Sequence, residues 1–168
     1  PIRPAYSPVA MNAAQELLAP ALSQGLGDCP AFLGAGGPLS YRELEALAGQ
    51  NANALQGAGV DPGHRVLLLL RDTSALAGAY LGILAAGAVA VTVNLRCSAA
   101  EIAHVLRDSG CVLALLDPAS VPLWREATGG SAPCAARTVG GPVAGLPAWE
   151  DAVAAAAPRF DAVLLPEE

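Results

Sequence analysis

Strand-like apolar runs alternate with helical segments between residues 65 and 116, and this alternation constrains the fold more than any other feature of the sequence. The run that follows Arg65 places five apolar residues in a row, which is typical of a strand covered on both faces, as in a parallel sheet. Similar runs follow at residues 88–93 and 111–116. Strands separated by helices are the pattern of a doubly wound layer. The sequence therefore predicts an α/β fold with a doubly wound, mainly parallel sheet flanked by helices.

Two capping boxes mark where helices begin. Residues 40–43 and residues 98–101 each place a serine three positions before a glutamate. In this arrangement the two side chains satisfy free backbone N–H groups in the first turn of a helix. The first helix is expected to end near Gly57 or Gly59 and the second at Gly110, because glycine favours the C-terminal end of a helix.

The remaining elements follow from shorter patterns. The glycine-rich segment 34–38 indicates a hairpin turn between strands over 31–33 and 39–41. A phosphate-binding loop is the disfavoured alternative, because no Lys-Ser or Lys-Thr pair begins a helix there and the chain has no GxGxxG motif. Helices are also expected over residues 12–22, 74–86, 121–127 and 149–156, and a further strand is expected over residues 136–139.

Charge and composition exclude several classes of function. The chain has no lysine, its nine basic residues are scattered arginines, and its formal net charge is −6. A nucleic-acid or anionic membrane surface requires a basic stripe, so neither partner is expected. Apolar residues make up 54% of the chain and charged residues only 14%, well under the usual quarter or so. Part of the surface is therefore expected to pack against more protein.

The four cysteines, at positions 29, 97, 111 and 134, have spacings that match no zinc motif. No signal peptide is evident that would place them in an oxidising compartment. Free buried thiols are therefore expected, in preference to disulfides or a metal site, and the expected location is cytoplasmic.

The segment from Thr73 to Leu95 carries no charged residue and is long enough to span a bilayer. It is dominated by alanine and glycine, so its insertion into a membrane would be marginal. Valines alternate at period two after Gly87. We therefore expect a helix, a glycine stop and a strand, with no membrane span.

Several side chains that could suggest a site are expected to be structural. The histidines have no nucleophile motif near them, so surface or packing positions are expected. Two aspartates follow strands, where carboxylates can bind metal or sugar, but turn capping is favoured. The tryptophans are expected to be packing anchors in an aromatic-poor chain. These residues are His64, His104, Asp72, Asp117, Trp124 and Trp149, and no catalytic or metal-binding residue is predicted.

Four blocks of sequence, taken in order, carry a family resemblance. They lie at residues 39–44, 59–66, 81–88 and 93–96. In this order and spacing they resemble the opening part of the adenylate-forming (AMP-binding) superfamily of acyl- and aryl-CoA synthetases. Short segments at residues 12–14, 27–28 and 70–73 look most like the benzoate and related aryl-CoA ligase branch. Asn94, where the peptide synthetase branch usually has aspartate, resembles the CoA ligases.

The resemblance implies the fold, the chemistry and the organisation of the chain. Its fold would be the N-terminal α/β subdomain of the family over residues 12–160, after an extended lead-in at 1–11 and before a linker at 161–168 that leads toward the ATP-binding part. The parent ligase would form an acyl-adenylate from an aryl or benzoate-like acid and ATP, with magnesium, and then pass the acyl group to CoA. This chemistry needs a lysine that the chain does not contain. The 168-residue piece alone is therefore expected to bind no cofactor and to be inactive, with the remainder of the ligase as its partner and with homo-oligomers or aggregates as an outcome for the isolated piece.

Arg96 is the one binding residue that the resemblance implies. In some CoA ligases the arginine of the corresponding Asn-x-Arg block contacts a phosphate of CoA. Guanidinium geometry suits bidentate phosphate binding, and Arg96 is expected at the C-terminal end of a parallel strand, where doubly wound folds bind ligands. The alternative is that Arg96 pairs with Glu101 or with a helix end.

Four positions depart from the family's usual residues. They are Gly49, Asn51, His64 and Thr92. A glycine inside a helix costs about 1 kcal/mol relative to alanine, and an asparagine facing a core costs more unless it is paired. These departures predict reduced local stability. They also leave open an alternative in which the chain is a non-catalytic remnant, or an interaction module that needs a partner chain. A generic nucleotide binder is disfavoured because no phosphate-binding glycine motif is present.

Overall fold

The structure is a computed structural model that describes residues 11–34 and 36–164. Six helices and six strands follow one another in it, with one short 3-10 helix between the fifth strand and the fifth helix. In chain order they are α1 (Ala13–Ser23), β1 (Pro30–Gly34), β2 (Gly37–Ser40), α2 (Tyr41–Gly57), β3 (Arg65–Leu69), α3 (Ser74–Ala85), β4 (Val89–Thr92), α4 (Ala99–Ser109), β5 (Leu113–Leu116), the 3-10 helix (Pro118–Ser120), α5 (Val121–Thr128), β6 (Ala135–Thr138) and α6 (Trp149–Ala155). Apart from Met11, the expected lead-in lies outside the described residues, as do residues 165–168 of the expected linker.

A four-stranded sheet forms the centre, with strand order β4-β3-β5-β6 and every pair parallel. Alternate residues of the central strands pack on opposite faces. One face meets α2, α3 and α6, and the other meets α4 and α5. Every residue of β5 is buried, as is every residue of β3 except its first. The predicted doubly wound α/β fold is therefore confirmed.

The two tryptophans anchor opposite faces of the sheet. Trp149 in α6 is 2% exposed and belongs to the core on the α2 and α3 side, whereas Trp124 in α5 is 3% exposed and belongs to the core on the α4 side. Their predicted role as packing anchors is confirmed.

The glycine-rich segment forms the predicted hairpin turn. Strands β1 and β2 pair antiparallel, from Pro30 opposite Ser40 to Gly34 opposite Gly37. Gly37 has φ of 98°, a left-handed conformation that glycine adopts at no steric cost. The turn therefore needs glycine for backbone geometry, and the alternative of a phosphate-binding loop has no support in this fold.

Both predicted capping boxes are present. The backbone N–H of Ser40 donates to the Glu43 carboxylate at 2.8 Å, and the backbone N–H of Ser98 donates to Glu101 at 2.7 Å. Each serine hydroxyl in turn accepts a hydrogen bond from the glutamate backbone N–H. These backbone bonds, followed by those from the serine hydroxyls, lower the pKa of both glutamates. The two boxes thus fix the starts of α2 and α4, as the sequence predicts.

Two of the unusual residues in α2 are compensated by long-range contacts. A Cβ atom on Gly49 would lie 2.0 Å from the Pro158 carbonyl oxygen, so glycine allows the chain after α6 to lie directly on α2. Asn51 is buried, but its amide donates to the Leu47 carbonyl at 2.8 Å and its oxygen accepts from the Trp149 indole N–H at 2.8 Å. Gly49 therefore serves a close backbone approach and Asn51 is paired, while the expected loss of local stability at these positions stays a prediction.

Two asparagines fasten the C-terminal segment to the domain. The Asn53 amide donates to the carbonyl oxygens of Ala157 and Arg159 at 2.8 and 2.9 Å, and the Asn12 amide donates to that of Val163 at 2.8 Å. The backbone N–H of Val163 also donates to the Ala85 carbonyl at 2.8 Å. The segment before the expected linker is thus held against α2, and the described beginning of that linker is held against α3 and Asn12.

The uncharged segment from Thr73 to Leu95 divides into α3, a turn at Gly87 and β4. Within residues 11–34 and 36–164, none of the helices combines the length and the apolar character that crossing a bilayer demands.

Candidate functional site

A cleft of about 500 Å³ opens where β3 and β4 end, at the carboxyl edge of the parallel sheet. This edge is where open α/β sheets bind their ligands. Its apolar lining comes from the ends of the two strands and from Leu76 of α3. The polar side chains that line the cleft are Arg71, Asp72, Thr92, Asn94 and Arg96.

Arg96 lies exposed in the loop after β4. Its backbone N–H donates to the Asn94 side-chain oxygen at 2.9 Å, a local turn that carries the arginine past the end of the strand. Glu101 is engaged with Ser98 in the capping box. Within the described part of the chain Arg96 forms no ion pair, so the alternative pairing with Glu101 is not formed and its guanidinium is available to a ligand.

Arg71 is a second guanidinium in the same cleft, and sequence reasoning did not identify it. Its Nε donates to Asp117 Oδ2 at 2.6 Å, and Asp117 follows the adjacent strand β5. Asp117 is 5% exposed, and its other oxygen accepts from the Ala119 backbone N–H at 2.9 Å. The predicted turn-capping role of Asp117 is confirmed, with an ion pair added. An arginine two residues after a buried strand was the available signal.

The histidines lie away from this cleft. His64 lies in the turn before β3, at the opposite edge of the sheet, where its Nδ1 accepts from the Asp61 backbone N–H at 3.0 Å. His104 is exposed on α4. Asp72 does line the cleft, where it is the one acidic residue among the lining residues that the structure describes. Residues 11–34 and 36–164 contain no cluster of three or more histidine, cysteine or acidic side chains that could hold a metal ion.

A larger groove of about 930 Å³ lies between α1, α2 and the segment 158–162. Its charged residues are of both signs, with Arg42 and Glu45 on α2 and Arg159 and Asp161 facing them from the C-terminal segment. This groove lies away from the carboxyl edge of the sheet, and its lining mixes positive and negative side chains without concentrating either charge. We therefore assign the candidate site to the smaller cleft.

All four cysteines are free thiols, as predicted. Cys111 is buried, Cys97 and Cys134 are half-buried, and Cys29 is exposed, so the expectation of burial fails for Cys29. Burial raises the pKa of the Cys134 thiol to about 11. Burial also raises the pKa of Cys111, although a contact with the Ser109 hydroxyl at 3.1 Å opposes that rise.

These environments predict a strong order of thiol reactivity. The thiolate is the reactive form, and with a pKa of about 11 only about one Cys134 in a thousand is ionised at pH 8. Iodoacetamide at pH 8 should therefore modify exposed Cys29 well before Cys134 or Cys111, as read by peptide mass spectrometry.

Because the folded pKa of Cys134 lies above the unfolded value, its contribution to stability is complete below about pH 9 and is lost as the pH rises through about 11.

Guanidinium chloride supplies the control, since all four thiols should react at similar rates in the unfolded chain. Alkylation of native Cys134 at the rate of Cys29 would contradict the described burial.

Comparison with known proteins places this geometry in a family. The model of the AMP-binding enzyme family matches residues 19–156. A 3-hydroxybenzoate–CoA ligase from Aromatoleum sp. (strain CIB) is 41% identical over 120 residues, and a 3-hydroxybenzoate–CoA/4-hydroxybenzoate–CoA ligase from Thauera aromatica is 42% identical over 119 residues. Each alignment covers 71% of this chain, and the chain spans 23% of the length of each relative.

Solved structures agree with the sequence relatives. A benzoate CoA ligase from Burkholderia xenovorans LB400 superposes with a TM-score of 0.80 at 32% identity, covering 90% of this chain and 30% of that protein. An anthranilate CoA ligase gives a TM-score of 0.87 at 24% identity, a likeness that concerns the fold alone. The chain therefore belongs to the AMP-binding enzyme family, and it corresponds to the N-terminal portion of an adenylate-forming synthetase that resembles the benzoate-CoA ligases.

Proposed function

We propose that this chain is the N-terminal subdomain, at residues 12–160, of an ATP-dependent aryl-CoA ligase whose substrate is benzoate or a hydroxybenzoate. The observation that carries the proposal is the identity of 41% and 42% to two hydroxybenzoate–CoA ligases over 71% of the chain. In the proposed reaction the acid carboxylate attacks the α-phosphate of ATP, which gives an acyl-adenylate and pyrophosphate. The thiol of CoA then displaces AMP to give the acyl-CoA.

In this proposal the subdomain packs against the ATP-binding part of the ligase and provides one side of the CoA site. Arg96 is exposed, forms no ion pair among the described residues and lines the cleft at the carboxyl edge of the sheet. A guanidinium in such a place suits bidentate binding of a CoA phosphate. The described residues offer no metal-binding group, so we assign Mg²⁺ and the ATP phosphates to the rest of the ligase. The cytoplasmic location stays a prediction.

Arg96→Gln should weaken the use of CoA without slowing adenylation. Loss of one charge-assisted hydrogen bond is expected to raise the KM for CoA about tenfold in the ligase that contains this chain. ATP–pyrophosphate exchange, which precedes CoA binding, should be unchanged. Arg107→Gln is the matched control, because it removes the same charge from the last turn of α4, outside the cleft. An unchanged KM for CoA in Arg96→Gln would contradict the assignment.

The same exchange assay tests the substrate class. Benzoate, 3-hydroxybenzoate and 4-hydroxybenzoate should each support exchange by the ligase, and decanoate should not. Exchange with decanoate alone would overturn the aryl assignment.

The 168-residue chain by itself should give no pyrophosphate exchange, because it has no lysine to stabilise the charge that develops on the phosphates. Exchange by the isolated chain would show that the adenylation machinery is present in it.

A second candidate is an interaction module completed by another chain. It is favoured by apolar side chains on the surface, among them Leu17 at 60%, Leu33 at 78% and Val89 at 48% exposure. Val89 begins β4, an edge strand whose outer side has no partner among the described residues. Both candidates require a covering partner, and they differ in its source. Exchange activity in the ligase supports the first, and activity restored only by a separately encoded chain supports the second. Sedimentation of the isolated chain reports any homo-oligomer.

A further inference from the structure

We propose that Arg71 is a second phosphate-binding residue of the CoA site, held in position by Asp117; this inference rests on the proposed function. Arg71 and Arg96 follow the neighbouring strands β3 and β4, and both line the same cleft of about 500 Å³. Adjacent strands lie about 4.8 Å apart, so residues just beyond their ends can reach one small group. A phosphate ester, with several acceptor oxygens, matches two guanidinium groups that line one cleft.

The ion pair leaves the binding edge of Arg71 free. Only Nε is used, in the 2.6 Å bond to Asp117 Oδ2, and the structure gives Arg71 no other hydrogen bond among the described residues. The Arg71 side chain is 67% exposed, whereas that of Asp117 is 7% exposed. The carboxylate thus supports the guanidinium from the protein side, and both terminal nitrogens remain for a ligand.

The sheet itself fixes the supporting carboxylate. The Asp117 backbone N–H donates to the Leu69 carbonyl at 2.8 Å, and the side chain caps the following 3-10 helix through Ala119. Leu69 ends β3, two residues before Arg71. Arg71 and Asp117 are therefore connected through the backbone of adjacent strands. Because the guanidinium is already held in place, it loses less conformational entropy when it binds a phosphate.

The cleft also contains one opposing charge. Asp72 is exposed, lines the cleft and forms no ion pair among the described residues. Its carboxylate repels a phosphate, so it provides a test of opposite sign. Arg71→Gln should weaken binding, whereas Asp72→Asn should strengthen it.

The experiment is a calorimetric titration of the ligase that contains this chain with CoA, dephospho-CoA and ATP, with circular dichroism to report whether each variant is folded. Arg71→Gln should raise the Kd for CoA about tenfold, Asp72→Asn should lower it about threefold, and the control Arg107→Gln should leave it within about twofold. The salt dependence of Kd should become shallower in Arg71→Gln, because screening acts on one charge fewer. A merely structural arginine would not change that slope.

A double-mutant cycle separates positioning from direct contact. Asp117→Asn should raise the Kd for CoA about threefold in the wild-type background and should have no further effect in Arg71→Gln. Equal effects of Asp117→Asn in both backgrounds would overturn the positioning role. Arg71→Lys should recover only part of the affinity, since an ammonium keeps the charge without the planar fork that serves carboxylate and phosphate together.

The remaining outcomes are equally decisive. No CoA binding by the wild-type ligase, or equal Kd values for Arg71→Gln and Arg107→Gln, would overturn the inference. Binding of ATP that is tighter than that of CoA and depends on Arg71 would assign the phosphate to ATP and overturn CoA as its source. Equal loss of CoA and dephospho-CoA affinity in Arg71→Gln supports contact with the pyrophosphate, and loss confined to CoA supports contact with the 3′-phosphate. The proposed function is judged separately by pyrophosphate exchange.

Discussion

Replacing Gly82 with alanine is expected to lower the free energy of unfolding by about 2 kcal/mol, through overpacking between α2 and α3. A Cβ atom at Gly82 would lie 2.4 Å from the Asn51 Cβ, 2.9 Å from the Ala48 carbonyl oxygen and 3.0 Å from the Ala52 backbone nitrogen. These atoms belong to the α2 backbone or are attached directly to it, so no side-chain rotation can relieve the clash. The helices must separate, and that cost exceeds the gain of about 1 kcal/mol in helix propensity.

Gly57→Ala is the matched control for this prediction. Gly57 is the last residue of α2, and among the described residues no atom outside its own helical turn lies within 4 Å of the position that its Cβ would occupy. The same chemical change should therefore raise the free energy of unfolding by a few tenths to about 1 kcal/mol. Urea unfolding followed by circular dichroism measures both variants. A stabilised Gly82→Ala would show that α2 and α3 do not approach as closely as described.

Local signals explain what the sequence could predict about the fold. Each capping box lies within four residues, and the buried strand runs carry their apolar pattern in consecutive positions. Such features depend on the backbone nearby, so the elements of the doubly wound sheet could be predicted without knowledge of any contact. Gly82 could be recognised as a glycine inside a helical segment. The need for glycine there comes from the close approach of the α2 backbone, about thirty residues earlier in the chain, and could not be predicted.

Contacts distant in sequence explain what could not be predicted. Arg71 and Asp117 are 46 residues apart and meet only because β3 and β5 pair in the sheet. A glycine at position 49 has low helix propensity, and the contact that requires it, with the Pro158 carbonyl, lies more than a hundred residues later in the chain. Arg96 could be selected beforehand because a family resemblance supplied its position. The second arginine required the strand order, which periodicity does not determine.

Loss of the buried hydrogen bond between α2 and α6 is expected to lower the free energy of unfolding strongly. Trp149 donates its indole N–H to Asn51 Oδ1 at 2.8 Å, and both residues are at most 3% exposed. Trp149→Phe removes the donor and leaves the Asn51 oxygen buried without a partner, which costs about 1–3 kcal/mol. The smaller ring adds the cost of lost packing. We therefore expect the free energy of unfolding to fall by about 3 kcal/mol in total.

Trp124→Phe separates these two contributions. Trp124 is equally buried, at 3% exposure, and its indole donates no hydrogen bond to the described residues. Its replacement should therefore cost only the packing contribution, leaving Trp149→Phe the more destabilised of the two by about 1–3 kcal/mol in urea unfolding. Adding Asn51→Leu to Trp149→Phe removes both polar partners, so the double variant should be more stable than the sum of its single variants predicts. Strict additivity would mean that the asparagine and the indole do not interact, and that α6 is held on α2 by apolar packing alone.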